Sequence, residues 1–208
     1  MRFYFDVISP YAYLGWTQIR ALAARHDRTV EPVPVLFAAM LSHGGTRGPA
    51  EIPAKRAYLY KDIKRLAATF GVALEPPPSH PFNPLLALRV ATAEPRTIDA
   101  LFAATWAGGG GVETVEQISR ALADFDAPAL LAKANEPATK RQLRDATDAA
   151  IAAGVFGVPT VIVDGELFWG CDSFPHLERF LGGKDPITPE YAARIQALAP
   201  SATRSTAP

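Results

Sequence analysis

Strand-like and helix-like hydrophobic periods alternate at the start of the chain. Residues 3–8 are aromatic and β-branched, which is typical of a short buried strand. Ser9-Pro10 follows, and a capping hydroxyl before a proline at the first helical position predicts the start of a helix. Apolar residues then recur at helical spacing as far as His26, and the valines of residues 29–37 favour a second strand. The chain therefore opens as β-α-β.

Helical periods dominate the middle of the chain. Leu59, Ile63, Leu66 and Phe70 fall at spacings of three and four, which predicts a helix from Pro53 to Phe70. Further helical patterns fill the rest of this region. The segments rich in proline, glycine and small polar residues that interrupt them are 42–51, 75–81 and 108–111.

The pattern returns to strands towards the end of the chain. Residues 159–163 are β-branched, Asp164-Gly165 is a strong hairpin dipeptide, and residues 166–169 complete a predicted β-hairpin. The last predicted elements are a helix over 174–181, a short helix that starts at Thr188, and a tail of small residues over 201–208.

The order of these elements predicts an α/β protein with a thioredoxin-like fold and an inserted all-helical domain. We expect a single domain over residues 1–208, without a linker between independent units. Residues 1–41 and 154–208 would form the thioredoxin-like part of this domain, and residues 42–153 would form the helical insertion.

Composition narrows the possible functions. Apolar residues make up 49% of the 208 residues, so the chain can bury a core. The 21 Lys and Arg balance 21 Asp and Glu, so the chain lacks the excess positive charge of a nucleic-acid-binding surface. No apolar run reaches the about 18 residues of a membrane span, and no basic-then-apolar leader opens the chain, so we expect a cytoplasmic protein. The four histidines are scattered without the spacing of metal ligands, so we expect no metal site.

Ser9 stands where a thioredoxin-like oxidoreductase carries its C-x-x-C motif. Cys171 is the only cysteine, so the chain contains no dithiol pair. A hydroxyl at a helix N-terminus favours an anion, because unpaired N–H groups and the helix dipole point at it. A thiolate fits this environment, and its sulfur must then come from a ligand. The alternative interpretation of Ser9 is an ordinary N-cap.

Val158-Pro159 precedes a β-branched strand, where proline occupies the first strand position or a special bend. In thioredoxin-like proteins a cis proline stands here, and the residue before it offers its backbone to an extended peptide. We expect Pro159 to be cis because of the predicted fold order. The alternative is an ordinary trans proline that opens a strand.

Four segments together resemble the 2-hydroxychromene-2-carboxylate isomerases and their relatives, the kappa-class glutathione transferases, which share a DsbA-like thioredoxin fold. The resemblance spans nearly the whole chain and is specific for the superfamily rather than for one substrate. The segments are FYFDVISPYAYL at 3–14, IPAKRAYL at 52–59, GVPT at 157–160 and WGCD at 169–172.

The resemblance implies a glutathione site. Ser9 matches the family serine that hydrogen-bonds the glutathione sulfur, and Val158, before Pro159, matches the residue whose backbone pairs with the cysteinyl part. Lys55 matches the kappa-class lysine that meets the glycine carboxylate. Without the resemblance, Lys55 would be interpreted as a solvated helix charge.

The resemblance assigns Trp169, Gly170, Cys171 and Asp172 to the stretch that holds the γ-glutamyl end of glutathione. The Asp172 carboxylate suits the ammonium group, and Ser173 would assist it. Two other interpretations stand beside this one: Asp172 as the N-cap of the following helix, and Cys171 as a residue whose thiol is incidental.

The chain also departs from the isomerase pattern. Isomerases carry a substrate-contacting lysine after the second strand, whereas residues 37–43 contain none and Ser42 stands near that position. The kappa-class asparagine of this loop aligns with Thr46. His80 and Asn83 are candidates for the second-substrate pocket, although the sequence favours a surface-loop histidine at position 80.

We therefore predict a glutathione-dependent isomerase of the 2-hydroxychromene-2-carboxylate type. The bound thiolate would add to the substrate and be eliminated again, giving an o-hydroxybenzylidenepyruvate in aromatic catabolism. Glutathione is the predicted cofactor and a homodimer the expected assembly. One alternative is a kappa-class transferase or peroxidase that acts on other electrophiles. The other alternative is a non-redox, peptide-binding DsbA-like protein.

Overall fold

A four-stranded mixed sheet forms the centre of the protein, seen in a computed structural model that describes residues 1–202. Strand β1 (Arg2–Phe5) pairs in parallel with β2 (Glu31–Pro34) on one side and antiparallel with β3 (Thr160–Val163) on the other. Strand β4 (Glu166–Trp169) pairs antiparallel with β3, so the order across the sheet is β2-β1-β3-β4.

Helices cover the sheet, and most of them lie between β2 and β3 in the sequence. Short 3₁₀ turns precede three of them, at Pro49–Glu51, Pro95–Thr97 and Cys171–Ser173. The helices in chain order are α1 Pro10–Ala24, α2 Phe37–His43, α3 Pro53–Phe70, α4 Leu85–Ala93, α5 Ile98–Trp106, α6 Val115–Ala121, α7 Ala127–Asn135, α8 Pro137–Ala152, α9 Phe174–Leu181 and α10 Pro189–Gln196.

The structure confirms the predicted start of α1 after Ser9, the helix Pro53–Phe70, and the hairpin of β3 and β4. The prediction of a strand over 29–37 is wrong at its end, because β2 stops at Pro34. The N–H of Phe37 donates to a carboxylate oxygen of Asp6 at 3.0 Å instead of joining the ladder, and Phe37 opens α2.

Helix α7 has no separate counterpart among the predicted elements, although it lies in the region predicted to be helical. Part of the predicted C-terminal tail, residues 203–208, lies outside the described residues. The division of the chain into a thioredoxin-like part and a helical insertion at residues 42–153 stays a prediction.

Alternate side chains of β1 belong to two separate hydrophobic clusters. Phe3 and Phe5 belong to the larger cluster, which also includes buried residues of α1, α3 and α5. Tyr4 belongs to a smaller cluster with Val35 and Val158. This alternation is expected of a strand, whose successive side chains point to opposite faces. Both faces of β1 are therefore covered, and the strand is held at the centre of the fold.

Among the described residues, no helix is both long enough and apolar enough to cross a membrane.

The burial of Ile63 on α3 makes a testable contribution to stability. Ile63 is completely buried, so Ile63→Ala removes apolar contacts and leaves a cavity, and we expect the free energy of unfolding to fall by about 2–5 kcal/mol. Urea denaturation measures this loss. Lys61→Ala on the exposed side of the same helix is the matched control and should change stability by less than about 0.5 kcal/mol.

Candidate active site

The turn between β1 and α1 places Ser9 at the N-terminus of α1. Ser9 has extended backbone angles, and its Oγ accepts a hydrogen bond from the N–H of Ala12 at 3.2 Å. Its own N–H donates to the carbonyl of Asp6 at 3.0 Å. The N-cap interpretation of Ser9 is therefore confirmed, and the hydroxyl lies at the positive end of the helix dipole.

The hydroxyl of Ser9 also reaches the second chain segment of the site. Its Oγ donates to the carbonyl of Val158 at 3.4 Å. This distance is long for a hydrogen bond between oxygens, whose usual range is about 2.5–3.0 Å. The Val158 carbonyl therefore binds the hydroxyl proton of Ser9 only weakly. The peptide bond between Val158 and Pro159 is cis, which confirms the prediction for Pro159.

Trp169 lies over the backbone just before Val158. A Cβ atom on Gly157 would be 2.6 Å from Nε1 of Trp169, so the close approach of the indole requires glycine. The Trp169 ring is 55% exposed and meets the exposed ring of Phe156 edge to face, with 5.1 Å between centroids. The two rings form an apolar surface beside the Val158 backbone.

Gly170 joins the hairpin to this segment. Its N–H donates to the carbonyl of Pro159 at 2.8 Å, and its carbonyl accepts from Oγ of Ser173 at 2.7 Å. With φ at 82° and an oxygen of Asp172 packed where a Cβ would lie, the position requires glycine. The N-cap of α9 is Ser173, so the alternative interpretation of Asp172 as that cap is wrong.

The thiol of Cys171 lies in the core. Cys171 is only 1% exposed, and its Cβ atom packs against the position that a Cβ of Gly15 on α1 would take. Burial, with a smaller contribution from Asp172, raises the pKa of this thiol to about 12. The side chain is therefore neither a nucleophile nor a ligand contact.

Lys55 lies on the first turn of α3 beside a cavity of about 340 Å³. The Lys55 and Asp172 side chains are exposed, and neither forms a salt bridge within the described residues 1–202. Both charges are therefore open to a charged ligand. The cavity is lined by Tyr11, Pro49, Ala54, Lys55, Tyr58 and Leu59.

Tyr11 links this cavity to the start of α1, two residues after Ser9. Its hydroxyl donates to a carboxylate oxygen of Asp62 at 2.8 Å, and the hydroxyl of Tyr58 donates to the other oxygen at 3.4 Å. Burial and the neighbouring Asp62 raise the pKa of Tyr11. The Tyr11 proton is thus committed to Asp62, and the ring serves as a wall of the cavity.

Asp6, which is completely buried below the turn, was not identified from the sequence. One carboxylate oxygen accepts from the N–H of Ile8 at 3.0 Å, and the other accepts from the N–H of Phe37, also at 3.0 Å. Burial outweighs these two bonds and raises the pKa of Asp6 to about 7. The only sequence signal was an acid within a segment predicted to be a buried apolar strand.

The prediction of a surface-loop histidine at position 80 is wrong. His80 is only 7% exposed, with Nε2 at 3.1 Å from the carbonyl of Ile8 and Nδ1 at 3.0 Å from the hydroxyl of Tyr60. Asn83 is exposed, and its side-chain oxygen accepts from the N–H of Leu85 at the start of α4. Within the described part of the chain, no group of three or more potential metal ligands forms a cluster.

The chain belongs to the DSBA-like thioredoxin domain family, which it matches over residues 1–182. It is 31% identical over 189 residues to a 2-hydroxychromene-2-carboxylate isomerase of Sphingobium xenophagum, covering 86% of this chain and 96% of the relative. It is 27% identical over 219 residues to glutathione S-transferase kappa 1 of Rattus norvegicus, covering 94% and 97% of the two chains.

A solved structure of a 2-hydroxychromene-2-carboxylate isomerase has the same fold. It superposes with a TM-score of 0.80 at 26% identity, over 88% of this chain and 94% of the other. The predicted DsbA-like thioredoxin fold and the resemblance to isomerases and kappa-class transferases are therefore confirmed. Relatives of both kinds support an enzyme of isomerase or transferase type.

The raised pKa of Asp6 predicts a pH-dependent stability. The unfolded chain releases this proton near its ordinary pKa of 3.8 and the folded protein near 7, so stability is lost as the pH rises across that window. The free energy of unfolding of the wild-type protein, measured relative to that of Asp6→Asn, should decrease as the pH rises from 3.8 to about 7. It should stay constant at higher pH. A difference that is constant with pH in urea denaturation contradicts this prediction.

Proposed function

We propose that the protein is a glutathione-dependent isomerase that interconverts 2-hydroxychromene-2-carboxylate and an o-hydroxybenzylidenepyruvate. The observation that carries the proposal is the Ser9 hydroxyl at the N-terminus of α1, whose proton is held only by a long bond to Val158. The one cysteine of the chain is buried and protonated, so the reactive sulfur comes from a ligand.

Ser9 and α1 stabilise the glutathione thiolate. The helix N-terminus carries about half a positive charge, which favours the thiolate over the thiol. The Ser9 proton turns from the Val158 carbonyl to the sulfur, because a charged acceptor forms a stronger hydrogen bond than a distant neutral carbonyl. The pKa of the bound thiol is lowered, and a larger fraction of it is nucleophilic at neutral pH.

The ends of glutathione meet complementary groups. The ammonium of Lys55 binds the glycine carboxylate, and the carboxylate of Asp172 binds the γ-glutamyl ammonium, with Ser173 beside it. Both charged side chains are exposed and without salt-bridge partners in the described residues, which supports these roles.

The middle of glutathione follows the backbone beside the cis proline. Val158 offers its backbone to the cysteinyl part, as an added strand would be paired. Trp169 and Gly170 continue this groove, and the exposed indole of Trp169 gives it an apolar wall. Cys171 is buried beneath this groove and supports Gly170 and Asp172 from the core side.

The reaction proceeds by addition and elimination. A sulfur lone pair forms a carbon–sulfur bond with the benzylic carbon of the chromene, the adjacent double bond shifts towards the carboxylate-bearing carbon, and the ring carbon–oxygen bond breaks, leaving a phenolate that takes up a proton. The former double bond is now single and can rotate. In the elimination the enol releases its proton to become the ketone, the double bond re-forms, and the carbon–sulfur bond breaks with its electron pair on sulfur, which returns the free thiolate. The cavity lined by Tyr11 and Tyr58 suits a flat aromatic substrate, since its walls are largely apolar.

A kappa-class transferase or peroxidase is the second candidate. The specific observation in its favour is that the segment 37–43 forms α2 without any lysine, whereas the isomerase pattern has a substrate-contacting lysine there. The same thiolate would then be consumed by another electrophile. A homodimer and a cytoplasmic location stay predictions.

Titration calorimetry with glutathione tests the binding site. Lys55→Ala and Asp172→Asn should each raise the dissociation constant about 3- to 30-fold, because each removes one ionic partner. Glutathione whose glycine carboxylate is esterified should bind the wild-type protein more weakly than unmodified glutathione does. The two ligands should bind Lys55→Ala with about the same dissociation constant. Lys61→Ala, also on α3, is the control and should not alter binding.

An absence of glutathione binding by the wild-type protein contradicts both enzyme proposals. The peptide-binding alternative would then remain, since an extended peptide needs the Val158 backbone but not both charges.

Ser9→Ala tests the chemistry. Removing the hydroxyl should slow isomerisation of 2-hydroxychromene-2-carboxylate about 10- to 1000-fold, equivalent to about 1.4–4 kcal/mol of barrier. Steady-state kinetics at saturating glutathione measures this loss, and Thr69→Ala, which removes an exposed hydroxyl at the far end of α3, is the control. An unchanged rate in Ser9→Ala overturns the role of Ser9.

A further inference from the structure

Two ring N–H groups, one at the end of α5 and one in the irregular segment before α4, hold the turn that leads to Ser9. Nε1 of the fully buried Trp106 donates to the carbonyl of Val7 at 2.8 Å. Nε2 of His80 lies 3.1 Å from the carbonyl of Ile8. Consecutive carbonyls of the turn are thus bound by side chains about 70 to 100 residues away in the sequence.

The contact with Ile8 fixes the proton of His80. A carbonyl oxygen only accepts hydrogen bonds, so Nε2 must carry a proton. Nδ1, at 3.0 Å from the hydroxyl of Tyr60, accepts from that hydroxyl. Burial, with a smaller effect of the Arg56 charge, lowers the pKa of His80 and keeps the ring neutral. The Ile8 carbonyl therefore selects the tautomer with the proton on Nε2, and the Tyr60 hydroxyl stabilises it by donating to Nδ1.

The peptide unit between Ile8 and Ser9 is bound at both ends. His80 holds its carbonyl, and the carbonyl of Asp6 accepts its N–H at 3.0 Å. Because a peptide unit is planar and rigid, binding both ends fixes its orientation. The Cα of Ser9 is attached to this plane, so the plane determines where the Ser9 side chain starts.

We propose that His80 is a positioning residue for Ser9, and that it aims the hydroxyl at the sulfur of bound glutathione through the Ile8 carbonyl. This inference rests on the proposed function, in which Ser9 stabilises a thiolate. His80 does not touch the ligand. Its effect is to keep the Ile8–Ser9 peptide plane from rotating when the Ser9 proton leaves the Val158 carbonyl for the sulfur.

A pair of neutral amide variants separates positioning from packing. In His80→Gln the amide nitrogen reaches about the place of Nε2 and keeps a donor for Ile8. In His80→Asn the shorter amide ends near the place of Nδ1, so it keeps a partner for Tyr60 and loses the donor for Ile8. Tyr60→Phe removes the hydroxyl that stabilises this tautomer and leaves the rest of that ring.

His80→Asn should raise the pKa of the bound glutathione thiol and lower kcat about 10-fold, with KM for the second substrate little changed. His80→Gln should stay within about 3-fold of the wild-type kcat, and Tyr60→Phe should fall between the two. The ultraviolet thiolate band followed against pH, together with steady-state kinetics, gives these values. Thermal unfolding of each variant shows how much stability is lost.

Amide hydrogen exchange at Ser9 in the ligand-free protein is the second measurement. Exchange should be faster in His80→Asn than in His80→Gln, because the bound carbonyl restrains the peptide plane. Equal kinetics and equal Ser9 exchange in the two variants overturn the proposal and leave His80 as a packing residue. Wild-type protein that binds no glutathione overturns the proposed function instead, and the exchange comparison still decides whether His80 restrains the turn.

Discussion

The structure depends on how a buried strand turns directly into a helix, at residues that are largely shielded from solvent. Unpaired polar groups are costly in such a place, so the backbone of the turn is bound by groups of the protein itself. Asp6 accepts the N–H of Ile8, Trp106 binds the carbonyl of Val7, and His80 binds the carbonyl of Ile8. The same bonds that satisfy the turn also orient Ser9 at the N-terminus of α1, so stability and the placement of the hydroxyl have one origin.

The rest of the site is built from glycines that let distant segments approach. Gly157 leaves room for the indole of Trp169. Gly170 adopts a positive φ, and the Asp172 carboxylate packs against the Cα of Gly170. The hydrogen bond from Gly170 to Pro159 then fastens the hairpin end beside the cis-proline segment. The structure thus provides a hydroxyl at a helix N-terminus, a cis-proline segment and two exposed charges of opposite sign, while its one cysteine is buried, which is why a thiol-containing peptide is the proposed ligand.

Sequence predictions succeeded where structure is set by neighbours in the chain and failed where it is set by distant partners. The helix Pro53–Phe70 and the β-hairpin follow from local periodicity and turn residues. Phe37 was placed in a strand because its partner, Asp6, is 31 residues away and draws its N–H out of the ladder. His80, in a proline-rich segment, was interpreted as a surface residue because nothing local shows that Ile8, 72 residues away, lies against its ring.

The central claim is that Ser9 and the N-terminus of α1 stabilise a thiolate supplied by glutathione. An ultraviolet difference spectrum of the protein with glutathione, recorded below the pKa of free glutathione and compared with S-methylglutathione, tests it most directly. A thiolate band that appears in the wild-type protein and is lost in a Ser9→Ala variant that still binds glutathione is the predicted result. Binding of glutathione as the neutral thiol, with the same spectrum in both proteins, would contradict the account.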